Sequence, residues 1–404
     1  MPLPVFLEYP PRMATPDSNG FSIRTITAGV VLESADDLSP IEDAAQFLLG
    51  ARTAFEDSGI PVQSIRVATQ PLASVYKTQG PNATLQSLQR LDQAADDQGL
   101  IISVGPLLED DSADPDFPSW AADLVAATSG LYFSISVSGH DSPISHGAVH
   151  TAARTILAIA RTEPNGEANF RFGAAARIPA STPFFPVAYH FGPAAFSIGL
   201  ESAALVGQAF AGDTPIEYAT SVLRSLLEER LQPIQSLAET IAEESSRLYA
   251  GIDLSPAPSL EASIAGPIEH LIGDPFGSPR TLTACASITQ ALKSAQVTSC
   301  GYSGLMLPLL EDRVLAQRAA EQRFDVQDLL LYSSVCGTGL DVIALPGDCD
   351  EDDLAGLILD MATLSSRLEK PLAARLLPIP GKVAGDLVDF ANPHLTSSVV
   401  LSPR

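Results

Sequence analysis

The stretch VCGTGLDVIALP, residues 335–346, joins a glycine-flanked cysteine to a run of apolar residues that carries one acid. Gly337 and Gly339 free the backbone for tight or left-handed turns, so we expect Cys336 at a loop tip rather than inside an element. The apolar residues that follow predict a strand, with Asp341 near its start. A reactive thiol would lie in such a place, and a buried structural cysteine is the alternative.

Strand-like and helix-like segments alternate outward from this stretch over almost the whole chain. Ten segments predict strands, namely FSIRTITAGVVL, VQSIRVATQPL, LIISV, LYFSISV, NFRFGAAARI, AFSIGLES, AGIDLS, LMLPLL, the opening stretch and LAARLLPIP. Most are joined by stretches long enough for a helix, which is the connection that parallel strands need. The class is therefore α/β with mainly parallel pairing. Without an obvious linker, we expect one domain over residues 1–404, of which about 1–20 form an N-terminal extension.

Apolar residues at three- and four-residue spacing predict the helices. Examples cover residues 39–58, 281–294 and 350–369, and a long region covers 215–248. Pro233 within that long region predicts a kink or a helix start.

Composition excludes several classes of function. The chain has 23 basic and 48 acidic residues, a formal net charge of −25, and no basic run. Such a surface repels nucleic acid and anionic membranes, so we expect neither as a partner. Four cysteines without C-x-x-C spacing, and no apolar run long enough for a membrane span, favour a reducing cytoplasm.

His190 lies in the apolar loop PFFPVAYHFGP, just before a predicted strand that ends in Glu201. An imidazole held there near a carboxylate is a candidate general base or acid, in a loop whose aromatic residues exclude water. A hydrogen-bonded core histidine is the structural alternative.

Three histidines stand in GHDSPISHGAVH. His146 and His150 are four positions apart and would share one helix face, a spacing that suits a divalent metal. His140 or Asp141 is the candidate third ligand. The alternative is that these histidines pack or face solvent without a metal.

Two further segments contain candidate residues of a ligand site. IDLSPAPS places Asp253 and Ser255 at the end of a predicted strand, where α/β proteins assemble ligand sites. The turn SCGYSG offers Ser303 and Gly304, but it matches neither a Walker nor a dinucleotide-binding motif, so no nucleotide cofactor is expected. The sequence assigns no cofactor and leaves a divalent metal open.

These segments, taken in order, resemble the domain-of-unknown-function 711 family, also called uncharacterised protein family 0210. The segments that carry the resemblance are FSIRTITAGV, IPVQSIRVATQPLA, TPFFPVAYHFG, FSIGLESAALV, IDLSPAPS, GYSGLMLPLLED, VCGTGLDVIALPGD and RLLPIPGKVAGDLVDF, and they span about residues 21–390. Their order carries the resemblance more than any one of them.

The family in turn resembles the glycyl-radical enzymes of the pyruvate formate-lyase type. That resemblance implies a ten-stranded α/β barrel of two parallel halves, with helices outside and a loop inside. The C-terminal segment contains Gly385 but lacks the R-V-x-G-Y-like motif of a radical-bearing glycine. We therefore expect a non-radical reaction.

The resemblance also implies a set of site residues. Cys336, Gly339 and Asp341 match the family's Cys-x-x-Gly-Leu-Asp pattern. The remaining matches are His190 with Gly192, although Phe191 intervenes, then Asp253 with Ser255, and Ser303 with Gly304.

The leading hypothesis is a lyase, isomerase or hydrolase that acts on a small polar metabolite in the barrel centre. Cys336 would be the nucleophile or proton donor and His190 the base. The other catalytic candidates are Asp253, Ser255 and Asp341, and the ligand-binding candidates are Gly192, Glu201, Ser303, Gly304 and Gly339. One alternative is a small-molecule-binding or regulatory protein without turnover, and another is a metal-dependent enzyme that uses His146 and His150. The oligomeric state stays open, a homo-oligomer included.

Overall fold

A computed structural model describes residues 20–34, 36–109, 114–140 and 142–403. Residues 1–19 of the expected N-terminal extension lie outside this part. The strands are β1 (Ser22–Gly29), β2 (Val62–Ala68), β3 (Ile101–Leu108), β4 (Leu131–Ser138), β5 (Phe172–Ala176), β6 (Ala195–Glu201), β7 (Leu248–Ala257), β8 (Gly339–Pro346), β9 (Leu372–Ile379), β10 (Leu387–Val388) and β11 (Ser398–Val399).

Helices occupy most of the connections. They are α1 (Ser39–Asp57), α2 (Ala73–Gln79), α3 (Pro81–Asp96), α4 (Phe117–Ala127), α5 (His146–Ala160), α6 (Ala203–Ala209), α7 (Ala219–Ser245), α8 (Ala265–Ile272), α9 (Thr281–Ser294), α10 (Arg313–Ala320), α11 (Val326–Tyr332) and α12 (Glu351–Leu368). No helix in the described part of the chain is both long and apolar enough to cross a membrane.

Nine strands form one sheet in the order β7-β6-β1-β2-β3-β4-β5-β9-β8. Strands β1 to β5 lie side by side in chain order and run parallel. At either side of this block an antiparallel neighbour follows, β6 beside β1 and β9 beside β5. Strands β7 and β8 then pair in parallel with β6 and β9. The predicted α/β class with mainly parallel pairing is confirmed.

The sheet is strongly curved. Arg24 of β1 and Arg375 of β9 both contact the carboxylate of Glu311, at 3.2 and 3.4 Å. These strands are five positions apart in the sheet, which would separate them by roughly 24 Å in a flat sheet. The sheet must therefore curve until β1 and β9 face each other across Glu311.

One of the ten predicted strands, LMLPLL, is absent from the hydrogen-bonded sheet. Residues 305–310, LMLPLL, are not a strand, since Pro308 lacks a backbone donor and Leu309–Glu311 form a 3-10 turn. The segment before it nevertheless lies between the two end strands. Ser299 bridges Ile252 of β7, and Leu305 accepts a backbone hydrogen bond of 2.7 Å from Gly337, just before β8.

The helix predictions hold where the apolar spacing is regular. Helix α9 has the predicted bounds, and α1 and α12 differ from them by one residue at each end at most. Pro233 neither starts α7 nor ends it. Its ring lies on the exposed side of the helix, where the carbonyl that loses a partner can bond to water.

Asp312 ties two helix starts to the 3-10 turn. Its buried carboxylate accepts hydrogen bonds from backbone N–H groups at the starts of α8 and α10 and from one hydroxyl. The donors are Ser263, Ile264, Ala265, Val314 and Leu315, at 2.6 to 3.3 Å. One side chain therefore satisfies donors that a helix N-terminus leaves unpaired.

Replacing Asp312 with Ala should lower the free energy of unfolding by about 3 kcal/mol, because several buried donors lose their acceptor at once. Urea denaturation measures the change. Asp325→Ala is the matched control, since Asp325 caps only α11 at an exposed position and should cost about 1 kcal/mol. Equal losses in the two variants would contradict the double capping role.

Candidate functional site

A cavity of about 210 Å³ lies on the inner side of the curved sheet. Strands β1, β2, β3, β4, β8 and β9 and the end of β7 each contribute at least one residue to its wall. Aromatic side chains from two loops complete the wall, among them Phe170, Phe184 and Phe185. A mostly apolar pocket with a few converging polar groups is the usual form of a small-molecule site.

Five charged side chains form a continuous ion-pair chain beside this cavity. Glu201 pairs with Arg24 at 3.0 Å, Arg24 with Glu311 at 3.2 Å, Glu311 with Arg375 at 3.4 Å, and Arg375 with Asp341 at 3.0 Å. No member has more than 13% of its side chain exposed. Because positive and negative side chains alternate in this ion-pair chain, their mutual attraction offsets the free-energy cost of removing the charges from water.

Arg66 of β2 adds a cation without a carboxylate partner. Its Nε donates to Ser64 Oγ at 3.1 Å and its guanidinium lies over the Phe185 ring at 5.2 Å, but it forms no ion pair with a described residue. Burial, and then the charge of Arg24, lower the pKa of Arg66 to about 10. The group is still protonated at neutral pH, so the cavity wall presents one positive charge that is free to meet an anion.

Asp341 is a carboxyl group of the cavity wall whose pKa is shifted by its surroundings. Burial raises the pKa of Asp341, and the neighbouring Arg375 opposes part of that effect. A carboxyl group shifted upward is better able to exchange a proton near neutral pH, which general acid–base catalysis requires.

Two polar atoms of the cavity wall lack a partner. Thr338 Oγ1 and Arg375 Nε are buried and form no hydrogen bond with a described residue. Thr338 as a whole is 3% exposed. Because buried polar groups are nearly always hydrogen-bonded, such atoms in a cavity wall indicate a ligand position.

The structure places two of the predicted site residues in this region. Asp341 and Glu201 belong to the ion-pair chain, and Asp341 also lines the cavity.

His190 lies elsewhere, in a small crevice against Gly29, where there is no room for a Cβ. Its Nε2 is 2.8 Å from the Pro193 carbonyl and its Nδ1 is 3.4 Å from Ser181 Oγ, and burial lowers its pKa. Gly192 has a φ of 88° and no close neighbour. His190 thus has the contacts of a hydrogen-bonded core histidine, and its role as a base stays a prediction.

Asp253, Ser255, Ser303 and Gly304 do lie together, in what we term the Asp253 network. The buried Asp253 carboxylate accepts bonds from Ser255, from Ser303 and from the Tyr302 N–H, at 2.7 to 3.0 Å. Gly304 N donates to Ser255 Oγ at 3.2 Å. Burial raises the pKa of Asp253, opposed by these bonds. The network fixes the 299–305 segment to β7.

Cys336 lies in a turn, as predicted, but it is only 1% exposed. Its carbonyl accepts a 2.6 Å bond from Lys370 Nζ. Thr338 and Asp341 line the cavity, whereas Cys336 is not among the residues of its wall. Gly339 has a φ of 94° and packs against Ala373, which fixes the turn into β8. A nucleophilic role for Cys336 stays a prediction.

The three-histidine segment starts α5. His150 Nδ1 is 2.9 Å from Glu351, which also pairs with Arg154, and His140 contacts Arg177 through its carbonyl. Asp141 lies outside the described residues. The described part of the chain contains no group of three or more His, Cys, Asp or Glu side chains placed to hold a metal. The metal hypothesis for His146 and His150 therefore has no third ligand there.

Five residues of this region were not predicted from the sequence, namely Arg24, Arg66, Arg375, Glu311 and Thr338. A signal was present, because Arg24, Arg66 and Arg375 each interrupt an otherwise uncharged strand, in SIRTITAG, VQSIRVA and LAARLLPI. An isolated charge in a strand buried on both faces needs a buried partner or a ligand.

Known proteins resemble the chain over nearly its full length. The model of a family described as "Uncharacterised ACR (DUF711)" matches residues 16–393. A UPF0210 protein of Pyrobaculum aerophilum is 29% identical over 382 residues, 89% of this chain and 84% of that protein. A UPF0210 protein of Oenococcus oeni is 24% identical over 402 residues, 92% and 89% of the two chains. One of Methanopyrus kandleri is 28% identical over 378 residues, 88% and 81%.

The burial of Cys336 leads to a test of the thiol hypothesis. In the native protein Cys336 should react with iodoacetamide more slowly than free cysteine, because its sulfur is shielded from the reagent. Peptide mass spectrometry over a time course measures the rate, and the same protein in urea is the control. Labelling faster than free cysteine would instead support the nucleophile.

Proposed function

Because the chain belongs to the DUF711 family, as its sequence suggested, we propose that it is a non-radical enzyme that acts on a small anionic metabolite in the cavity. The observation that carries the proposal is Arg66, a half-buried cation at the cavity wall that forms no ion pair with a described residue. Such a charge is costly unless an anion compensates it.

The proposal includes a barrel of the pyruvate formate-lyase-like type. Three features support it: the curvature that brings β1 and β9 together at Glu311, the parallel block β1 to β5, and the 299–305 segment between β7 and β8. In this arrangement the segment takes the place of a tenth strand. The single-domain expectation belongs to the same proposal.

The cavity sets the size and charge of the metabolite. A volume of 210 Å³ corresponds to about seven water molecules at roughly 30 Å³ each. Arg66 would hold the anionic group, and the aromatic side chains would cover the rest of the molecule. Asp341 would donate or accept the proton in a lyase, isomerase or hydrolase step.

A binding or regulatory protein without turnover is the second candidate. It is favoured by the 3.0 Å bond from Arg375 to Asp341, which uses the carboxylate that the enzyme would need as an acid or base. Asp341→Asn separates the two candidates: an enzyme loses turnover and keeps its ligand, whereas a binding protein has no turnover to lose.

Arg66→Gln should weaken the binding of small carboxylates at least tenfold, because a charge-assisted hydrogen bond contributes about 1.5–3 kcal/mol. Ligand-observed NMR titration with butanoate measures the affinity. Arg280→Gln is the matched control, since Arg280 is an exposed arginine paired with Asp274. Equal affinity in wild type and Arg66→Gln would overturn the anion site.

Binding should also depend on pH through His394, an exposed residue at the mouth of the cavity. Partial desolvation there, and then the charge of Arg24, lower the pKa of His394 in the free protein. A bound anion offsets that repulsion and raises this pKa, so binding takes up a proton. Carboxylate affinity should therefore increase as the pH falls through the two pKa values, and His394→Asn should remove the increase.

The NMR titration repeated from pH 8 to pH 5 measures this dependence. An unchanged pH profile in His394→Asn would exclude His394 as the group that titrates.

A further inference from the structure

The polar part of the cavity wall extends beyond Arg66. Thr338 Oγ1 and Arg375 Nε are the buried atoms of this wall without a hydrogen-bond partner among the described residues. They belong to neighbouring chain segments. Thr338 immediately precedes β8, and its carbonyl accepts a hydrogen bond from the N–H of Ala373 in β9. Arg375 follows Ala373 by two residues. Both residues line the cavity, so their unsatisfied atoms define a candidate second polar subsite.

The chemistry of these atoms limits what can bind there. Arg375 Nε is only a donor, whereas the Thr338 hydroxyl both donates and accepts. A ligand hydroxyl can accept from Arg375 and donate to Thr338 at the same time. The carboxylates of Glu311 and Asp341 beside them add acceptors, which a hydroxyl can use and a carbonyl oxygen cannot.

The charge balance of the wall limits the anionic group. Three arginines, Arg24, Arg66 and Arg375, and two carboxylates, Glu311 and Asp341, line the cavity, and Arg66 is the arginine that forms no ion pair with a described residue. A doubly charged phosphate would face Glu311 and Asp341 with a single free cation. A carboxylate carries the charge that matches.

We infer that the ligand is a small hydroxylated carboxylic acid, whose carboxylate binds Arg66 and whose hydroxyl binds Thr338 and Arg375. This inference rests on the proposed function, because it names the substrate class of the same cavity. Thr338 would then determine specificity for the hydroxyl group.

The test compares probes that differ only in the second group. 2-Hydroxybutanoate, 3-hydroxybutanoate, 2-oxobutanoate, butanoate and inorganic phosphate are titrated into the full chain at pH 7 by ligand-observed NMR. One of the hydroxybutanoates should bind roughly three- to tenfold more tightly than butanoate, the range expected for one neutral hydrogen bond. Tighter binding of 2-oxobutanoate or of phosphate than of both hydroxybutanoates would overturn the inference.

Thr338→Val keeps the shape of the side chain and removes the hydroxyl. In this variant the hydroxybutanoate should lose its three- to tenfold advantage, while butanoate affinity changes less than about twofold. Thr338→Ser restores a hydroxyl and should restore the preference. Thermal unfolding of each variant verifies that it is folded.

The outcomes separate the inference from the proposed function. Equal affinities for butanoate and both hydroxybutanoates, with Arg66 still required, would overturn the hydroxy-acid class and leave the anion site standing. Failure of every carboxylate to bind in an Arg66-dependent way would overturn both.

Discussion

A single carboxylate, Glu311, contacts arginines from both sides of a sheet that would otherwise hold them far apart. Arg24 and Arg375 reach it from β1 and β9, and through them Glu201 and Asp341 join the chain. This contact joins the two sides of the curved sheet directly beside the cavity. The next residue, Asp312, caps two helices, so the turn that carries Glu311 is fixed from the outside as well.

The molecule is acidic overall, but three arginines line its cavity. The whole chain carries a formal charge of −25, yet the cavity wall contains three arginines, of which Arg66 has no carboxylate partner among the described residues. An acidic exterior discourages polyanions such as nucleic acid. A small anion is repelled less by that surface and meets the half-buried cation of Arg66 inside the cavity, so both the size and the charge of a ligand decide whether it binds.

Periodicity predicted the fold class and most helix bounds, because the apolar spacing of α1, α9 and α12 is a local property. Periodicity wrongly predicted a strand at LMLPLL, which has the composition of a strand but is removed from the sheet by Pro308 and the following turn, and it missed the two-residue strands β10 and β11. The sequence also suggested the family, which the comparison with known proteins confirmed.

The site was harder to predict than the fold. Cysteine, histidine and glycine motifs drew attention to Cys336 and His190, both of which are buried and outside the wall of the cavity. The arginines lie in strands without any motif. Arg24 and Glu311 are 287 positions apart, so their pairing is visible only in the folded chain. Asp341 was predicted because its neighbours match a family pattern, whereas Arg375, its partner, was not.

The strand order has a consequence for how the chain folds. Strands β1 to β5 are contiguous in sequence and in space, so the first half of the protein can assemble while the rest is still being synthesised. Glu311 and β9 come later, and their contacts with β1 and β5 span long loops that are slow to close. The arginines of β1 and β2 therefore stay hydrated until the last stage, and we expect the cavity to form after most of the core.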